Sequence, residues 1–493
     1  MGQDNHMLRR IQKYAAILFA VTLVTTAVLY ALGLRVVLYG GGSPHLEFVE
    51  SENARAERIA RDRQAHRAQA PSNSVTPAAP PPSTPDAPAA VPPIAPDTAP
   101  VPTATPAYWT DFRGPNRDGH YGERPILTTW PSGGLKPIWK QPVGGGYASF
   151  TIARGRAFTI EQRGPQEIVA AYDVATGREL WTSAWPALFH ERMGGDGPRA
   201  TPTWSDGRVF ALGGQGELRC LDEATGKTVW RTNILEDNGA TNLTWGMAAS
   251  PLIVDDTVIV LPGGPRGHSV AAYDRHTGAR RWSALDDQQS YSSPMLVTLG
   301  GVRQVLVFSA SRLMGITPGE GRVLWEYPWK TDYDVNAGQP IVIGTNRVLV
   351  SSGYGSGAAV VELTPSPDGF SVREVWRNNR MKNQFTSSLL HEGYIYGLDE
   401  SILACLDAAT GEVKWKGGRY GYGQVLLASD HLIVITEDGD LVLVRASPDR
   451  HQELARFRAI EGKTWSHPAM SDAVLLVRNI NEMAAFDLRP AAR

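Results

Sequence analysis

An eight-bladed β-propeller of four-stranded antiparallel blades, preceded by a transmembrane helix and a Pro-rich linker, is the all-β architecture that the sequence predicts. Three observations predict it. Residues 14–34 carry no charged side chain, residues 71–106 hold almost no large apolar side chain, and a motif ending in tryptophan recurs after residue 107. A repeat period of about 40–50 residues is typical of propeller blades.

The composition excludes several classes of protein. The 493 residues carry a formal net charge of −2 and include two cysteines. A balanced charge excludes a globally basic nucleic-acid-binding protein, so no nucleic-acid partner is expected. Two cysteines are too few for a disulfide scaffold, an iron–sulfur protein or a cysteine zinc site, and the chain has no C-x-x-C-H motif for c-type haem.

Residues 14–34 are predicted to cross a membrane. This run of 21 uncharged residues has the length that a helix needs to span a bilayer core. Arg9, Arg10 and Lys13 precede it, so residues 1–13 are placed in the cytoplasm. A cleaved signal peptide would have a shorter apolar core and a small-residue cleavage site. We therefore expect a retained anchor that crosses the inner membrane once and leaves the propeller in the periplasm.

Residues 35–106 are expected to form a charged and then Pro/Ala-rich linker. Residues 45–70 are rich in Glu, Arg and Ala and fit a solvated helix, because their apolar positions are too sparse for a coiled coil. Residues 71–106 should form an extended spacer of up to ~110 Å, at ~3.1 Å per residue. The linker is thus expected to hold the propeller of residues 107–493 away from the membrane.

The repeated motif is Asp-x-x-Thr-Gly-x-x-x-Trp, seen most clearly in residues 173–181, 222–230, 274–282 and 407–415. The equivalents of its first position are 39 to 52 residues apart and number eight: Asp173, Asp222, Asp274, Thr317, Leu363, Asp407, Ala446 and Asp487. Asp and Thr can bond backbone amides in a turn, Gly permits a positive φ, and Trp can pack between neighbouring blades. Short alternating strands separated by Gly turns complete a four-stranded meander in each period.

Ring closure can be predicted from the two ends of the repeat region. The last copy ends at residues 485–488 with no Trp strand after it, whereas Trp139 has no complete blade before it. The strand around Trp139 should therefore complete the eighth blade. Cys220 and Cys405 occupy the same repeat position in blades two and six, on opposite sides of the ring, so they are expected to be buried free thiols.

The repeat resembles that of the pyrroloquinoline-quinone (PQQ)-like propellers, the quinoprotein alcohol dehydrogenase-like fold. Phe112–Gly119 (FRGPNRDG), Trp130-Pro131, Ser351–Gly357 and Arg380–Asn383 are similar to segments of bacterial PQQ-like repeat proteins. The resemblance covers about residues 108–490 and implies one of two branches: calcium- and PQQ-binding dehydrogenases, or BamB-like scaffolds. The chain lacks the lipoprotein cysteine of the BamB branch and the vicinal cysteine pair of many quinoprotein dehydrogenases.

A ligand site would be expected near the axis, where the segments between blades enter the inner strands. The candidate residues in these segments are Tyr147, Arg199, Trp245, Tyr291, Asn336, Lys382, Asn383, Gln384, Tyr422, Trp465 and His467. This ring is aromatic, amide-bearing and basic, and it contains no carboxylate, although Asp286, Asp287, Asp332 and Asp334 lie upstream of it. Such a set suits an aromatic, sugar-like or anionic ligand, or it simply fills the central channel.

Other motifs are assigned no site. Glu437–Asp440 resembles a calcium loop, but its place between two strands indicates a hairpin turn. The histidines show no paired spacing that would indicate a metal site, and no metal-binding residues are predicted.

The leading functional hypothesis is a non-enzymatic interaction scaffold for envelope biogenesis. Envelope proteins would bind its loops or blade edges, the membrane would be a partner through the N-terminal helix, and no cofactor or catalytic residue would be needed. The alternative is a PQQ-dependent alcohol or sugar dehydrogenase, with PQQ and calcium near Trp245 and the quinone held by Arg199, Lys382 and Asn383. A third possibility is a propeller that binds a carbohydrate or another polymer through its aromatic ring.

Overall fold

The computed structural model describes residues 2–69, 107–191 and 193–490. Helix α1 extends over Gly2–Ala31, and its segment Gln12–Ala31 is long and apolar enough to cross a membrane. This segment overlaps the predicted span of residues 14–34. The expected extended spacer of residues 71–106 lies outside the described residues. Helix α2 covers Glu52–Gln69, and a single turn, α3, covers Ile234–Asp237.

Eight antiparallel sheets form the blades, which confirms the predicted fold. The strands of blades 1 to 4, from the inner to the outer strand, are Thr151–Ala153, Arg156–Arg163, Gln166–Asp173 and Glu179–Pro186; Thr203–Ser205, Arg208–Leu212, Glu217–Asp222 and Thr228–Asn233; Leu252–Val254, Thr257–Val260, Val270–Asp274 and Arg280–Ala284; and Met295–Leu299, Val302–Phe308, Arg312–Ile316 and Val323–Pro328. Those of blades 5 to 8 are Ile341–Ile343, Arg347–Ser352, Gly357–Ser366 and Gly369–Asn378; Leu389–His391, Tyr394–Asp399, Ile402–Asp407 and Val413–Arg419; Gln424–Ala428, His431–Ile435, Asp440–Arg445 and Glu453–Arg458; and Ala469–Ser471, Val474–Arg478, Glu482–Asp487 and Pro137–Pro142.

The ring closes as the sequence predicts. Strand Pro137–Pro142 pairs with Glu482–Asp487, and Ala485 faces Trp139 in the register. The outer strand of the last blade therefore comes from the N-terminal side of the domain. Cys220 and Cys405 are free, buried and in blades 2 and 6, which confirms the expectation for both thiols.

The repeated motif links each blade to the next. Asp173 Oδ1 accepts hydrogen bonds from the amide and the hydroxyl of Thr176, at 2.9 and 2.7 Å. The indole of Trp139 donates to the carbonyl of Val174 in the following blade at 2.8 Å, and its ring packs over Gly177, whose φ is +72°. Trp181 repeats this arrangement by donating to Glu223 O at 2.8 Å. The motif therefore stabilises both the turn and the junction between blades.

The Phe112–Gly119 segment lies inside the propeller channel. The strand before it, Ala107–Trp109, pairs with the inner strand of blade 1, and His120–Tyr121 after it pairs with the inner strand of blade 7. Arg117 donates to Pro294 O at 2.9 Å, to Ser250 O at 3.2 Å and to Pro251 O. The Phe112–Gly119 segment thus connects the inner strands of several blades across the channel.

Residues 35–69 differ from the linker that the sequence predicts, and Leu34, predicted to end the membrane span, begins a strand. Leu34–Leu38 and Pro44–Phe48 form an antiparallel hairpin, and α2 packs against the propeller instead of being fully solvated. Ile59 is buried, as is Arg63, which donates to Pro142 O at 2.8 Å. The helix can pack against the propeller with few apolar residues because a guanidinium can be buried when carbonyl and carboxylate acceptors surround it. A count of apolar residues alone overlooks such a helix face.

We expect Ile59→Asp to weaken the packing of α2 on the propeller, because the mutation replaces a buried apolar side chain with a carboxylate that must be desolvated. Hydrogen exchange of residues 52–69 should become several-fold faster. Glu57→Ala is the matched control, since the side chain of Glu57 is 72% exposed on the same helix. Equal exchange in both variants would show that α2 is not held by this contact.

Candidate functional site

The candidate site lies on the face of the propeller that carries the connections between blades, called here the axial face. In a four-stranded antiparallel meander, the connection from the outer strand of one blade to the next inner strand leaves from one end of the sheet. The turn between the second and third strands lies at that same end. The axial face therefore includes residues 187–202 and 459–468 between blades, and residues 436–439 within blade 7.

An aromatic cluster occupies one side of the axial face. The ring of Trp465 lies 4.5 Å from Phe385 and 5.1 Å from Tyr147, measured between centroids, and Phe385 lies 5.6 Å from Tyr422. Phe385 is one residue beyond the candidate Gln384 and was not predicted. Three of the predicted residues, Tyr147, Tyr422 and Trp465, are thus brought together.

Two cations lie beside this cluster. Lys463 Nζ is 4.3 Å from the Trp465 ring centroid, and it donates to Gly194 O and Leu38 O, both at 3.3 Å. Burial lowers the pKa of Lys463 to about 8, although the carboxylates of Glu47 and Glu437 oppose this effect. Arg199, which was predicted, lies over Phe189 and Tyr147 and donates to Gly195 O and Gly197 O. Lys463 was missed, although it stands two residues before Trp465.

A carboxylate also belongs to the site, which corrects the prediction of an acid-free ring. Glu437 Oε1 accepts a hydrogen bond from the indole of Trp465 at 2.8 Å, and Oε2 accepts one from the amide of Tyr422 at 3.1 Å. Glu437 lies in the Glu437–Asp440 hairpin turn, for which the sequence predicted no functional site. The propeller topology could have indicated Glu437, because the turn between the second and third strands of each blade reaches the axial face.

The N-terminal hairpin covers this part of the axial face. The amide of Gly40 at its tip donates to Glu437 Oε1 at 2.6 Å, and Gly40 packs directly on the ring of Tyr422. Tyr39 is buried, stacks on His45 at 4.0 Å and donates to Glu47 at 2.6 Å. The chain itself therefore fills the space over Tyr422 that a stacked ligand would need.

The remaining candidates are dispersed. Trp245 and Tyr291 form a separate pair, 5.7 Å apart, and burial raises the pKa of Tyr291 to about 12. Lys382 is paired with Glu400 at 2.7 Å, and Gln384 packs against Gly353.

Three further candidates are buried inside the body of the propeller. Asn336 Nδ2 donates to Ser309 O at 2.8 Å, and Asn383 Nδ2 donates to Leu398 O at 3.1 Å. His467 packs edge-on against Phe112, and burial, with a smaller contribution from Arg113, holds its pKa well below the usual range. These three side chains support the blades and do not line an open site.

The carboxylates on and near the axial face are engaged by other groups of the chain. Calcium needs six to eight oxygen ligands, and residues 2–69, 107–191 and 193–490 contain no group of three or more His, Cys, Asp or Glu that could hold a metal ion. The carboxylate of Glu437 already accepts hydrogen bonds from three N–H groups. The upstream Asp287 is held by Arg312 at 2.6 Å, and Asp286 accepts the amide of Gly267.

Gly40→Ala tests the contact between the hairpin and the axial face. A Cβ at this position would overlap the Tyr422 ring, so the tip should be displaced from Glu437. We expect faster hydrogen exchange in residues 34–48 and unchanged exchange in the blades. Ser43→Ala, at an exposed position of the same loop, is the control. Unchanged exchange in Gly40→Ala would contradict the close contact.

The sequence profile of the family described as outer membrane protein assembly factor BamB matches residues 165–417. BamB of Bordetella pertussis is 23% identical over 381 residues, which cover 67% of this chain and 92% of the relative.

Two solved structures share the fold. BamB of Moraxella catarrhalis is 15% identical, with a TM-score of 0.52, and the match covers 73% of this chain and 99% of that chain. Quinohemoprotein alcohol dehydrogenase of Comamonas testosteroni is 14% identical, with a TM-score of 0.57, and the match covers 80% of this chain and 82% of that chain. At these identities the structures establish the fold alone. The family profile, however, matches more than half of the residues, and the chain belongs to the BamB family of PQQ-like β-propellers.

Proposed function

We propose that the protein is a non-enzymatic scaffold of the cell envelope, anchored in the inner membrane by α1 with its propeller on the periplasmic side. The main support for this proposal is that the N-terminal hairpin covers part of the axial face. Tyr39 and Gly40, at the tip of the N-terminal hairpin, cover the part of the axial face around Tyr422 and Glu437. The surface left for partners is then the outer rim of the blades.

The relatives support the assembly role. BamB of Bordetella pertussis is named an outer membrane protein assembly factor, and 92% of its length is matched. The candidate span Gln12–Ala31 supports the anchor. Residues 14–34 carry no charged side chain, and none of the span is buried in the propeller.

The blade edges supply a surface suited to proteins. The outer strands Thr228–Asn233 of blade 2 and Val413–Arg419 of blade 6 are the last in their sheets within the described part of the chain. Each exposes an apolar side chain, Val229 or Val413. An extended segment of a partner can add to such an edge through backbone hydrogen bonds, and the exposed side chains add apolar contact.

Blade 4 offers a matched control because its edge is covered. The long hairpin of blade 5 packs Gly369 against the backbone of Leu324, and Tyr327 of blade 4 donates to Glu374. A partner strand cannot add there without displacing this hairpin.

Site-specific photo-crosslinking in native membranes tests the scaffold. A photoreactive amino acid is placed in the full chain at Val229, at Val413 or at the covered Val323. We expect adducts with outer-membrane assembly proteins at Val229 or Val413 and none at Val323. If all three positions yield no adduct with an envelope protein, the proposed scaffold function is wrong.

A further inference from the structure

The hairpin next to the membrane span has one entirely apolar face. Its two strands pair with Leu34 opposite Phe48, Val36 opposite Leu46, and Leu38 opposite Pro44. Because side chains alternate along a strand, these three pairs project from the same face. The alternate face carries Arg35, Val37, His45 and Glu47, so it is mostly polar.

The apolar face is exposed. Val36, Leu46 and Phe48 are 64%, 71% and 67% exposed, whereas the hairpin tip is buried in the axial face through Tyr39. Three large apolar side chains exposed side by side on a two-stranded sheet are unfavourable in water. The hairpin is therefore held at its tip by the propeller, and its apolar face needs another environment.

The position of the hairpin indicates which environment that is. Helix α1 ends at Ala31, and the first strand begins at Leu34. The turn between them is fixed because Val49 N donates to Gly33 O at 2.8 Å, and the guanidinium of Arg35 lies 3.7 Å from the centroid of the Tyr30 ring. Tyr and Arg at the end of an apolar helix are typical of the membrane–water interface.

We propose that the apolar face of the hairpin lies on the lipid bilayer, at the level of the headgroups. At that depth, water can still reach the unpaired backbone groups at the edges of a two-stranded sheet, which the hydrocarbon core would not allow. The hairpin is then a layer between lipid and propeller, and the axial face of the propeller is turned towards the membrane. This inference rests on the proposed anchoring of α1.

The bilayer is favoured over a protein as the occupant because the face continues directly from the end of the span. Two residues separate α1 from the first strand, so an inserted helix brings Leu34 and Phe48 to the membrane surface without any rearrangement. A soluble partner would have to enter this gap between the membrane and the propeller.

Fluorescence quenching on the full chain in phosphatidylglycerol–phosphatidylcholine vesicles tests the inference. An environment-sensitive dye is attached to Leu46→Cys, to Val24→Cys within the span, or to Val413→Cys on the distant rim of blade 6. The native thiols remain unlabelled, because burial raises the pKa of Cys220 to about 12 and that of Cys405 to about 11. Aqueous iodide and doxyl-labelled lipids serve as the two quenchers.

We expect the dye at Leu46 to be quenched by shallow doxyl lipid and to be several-fold less sensitive to iodide than the dye at Val413. If the dye at Leu46 is as sensitive to iodide as that at Val413 while the dye at Val24 is quenched by lipid, the hairpin proposal is wrong and the anchor stands. If the dye at Val24 is itself open to iodide, the anchor proposal fails as well. Protection at Leu46 from both quenchers indicates a second copy of the chain on this face and overturns the lipid contact.

Discussion

Replacing Arg117 by methionine is expected to lower the free energy of unfolding by about 3–5 kcal/mol, the usual cost of removing one partner from a buried ionic network. The guanidinium is almost fully buried and donates to Asp111 Oδ1 at 2.9 Å. It also donates to carbonyls of blades 3 and 4. Methionine keeps most of the apolar stem but removes the positive charge beside Asp111 and the donor to the carbonyls of Ser250 and Pro294.

Chemical denaturation of the full chain in detergent measures this effect. Arg124→Met is the matched control, because Arg124 pairs with Asp472 at 2.7 Å while both side chains are about half exposed. An exposed pair of this kind contributes at most about 1 kcal/mol. Equal denaturation midpoints for the two variants would show that the contacts of Arg117 do not stabilise the fold, and would contradict a structural role for the Phe112–Gly119 segment across the channel.

Glu161→Gln is expected to destabilise the protein at neutral pH by about 3 kcal/mol, and this difference should vanish in acid. Glu161 is fully buried and accepts hydrogen bonds from Tyr172 at 2.7 Å and from Arg163 at 2.5 Å. Burial alone raises its pKa, but the charges of Arg163, Arg478 and Arg63 outweigh burial and lower the pKa to about 2. A depression from 4.5 to about 2 corresponds to about 3 kcal/mol.

The sign of the pH dependence follows from the lowered pKa. The contribution of Glu161 is fully present above the unfolded-state pKa of 4.5 and is lost as the pH falls towards about 2. Wild type and Glu161→Gln should therefore differ most above pH 5 and converge below it. Glu320→Gln, which removes an exposed carboxylate 3.4 Å from Arg322, is the control. A difference that stays constant from pH 6 to pH 3 would show that the carboxylate charge is not the cause.

The blades could be predicted from the sequence because their chemistry is local. Asp173, Thr176 and Gly177 form one turn within five residues, and the same spacing recurs in other blades. The closure of the ring was also predictable, since Trp139 occupies a repeat position that lacks a blade of its own. Short-range patterns of this kind need no knowledge of distant contacts.

The candidate site was harder to predict because it depends on contacts between residues far apart in the chain. Glu437 receives a hydrogen bond from Gly40, almost 400 residues away, and the composition of neither segment indicates that they meet. Asn336 and Asn383 were placed on the correct face, but their amides are used inside the blades. The prediction of a solvated helix within residues 45–70 was wrong because the buried face of α2 consists of Arg55 and Arg63 beside Ile59.

A titration of the full chain in detergent with PQQ and calcium tests the central claim, that the covered axial face does not serve a quinone enzyme. Visible absorbance of the cofactor and the unfolding temperature of the protein are the two readouts, with a PQQ-dependent dehydrogenase as the positive control. We expect neither readout to change up to high micromolar PQQ. Saturable binding with a shifted cofactor spectrum, weakened in Trp465→Ala, would contradict the account and make the protein a quinoprotein.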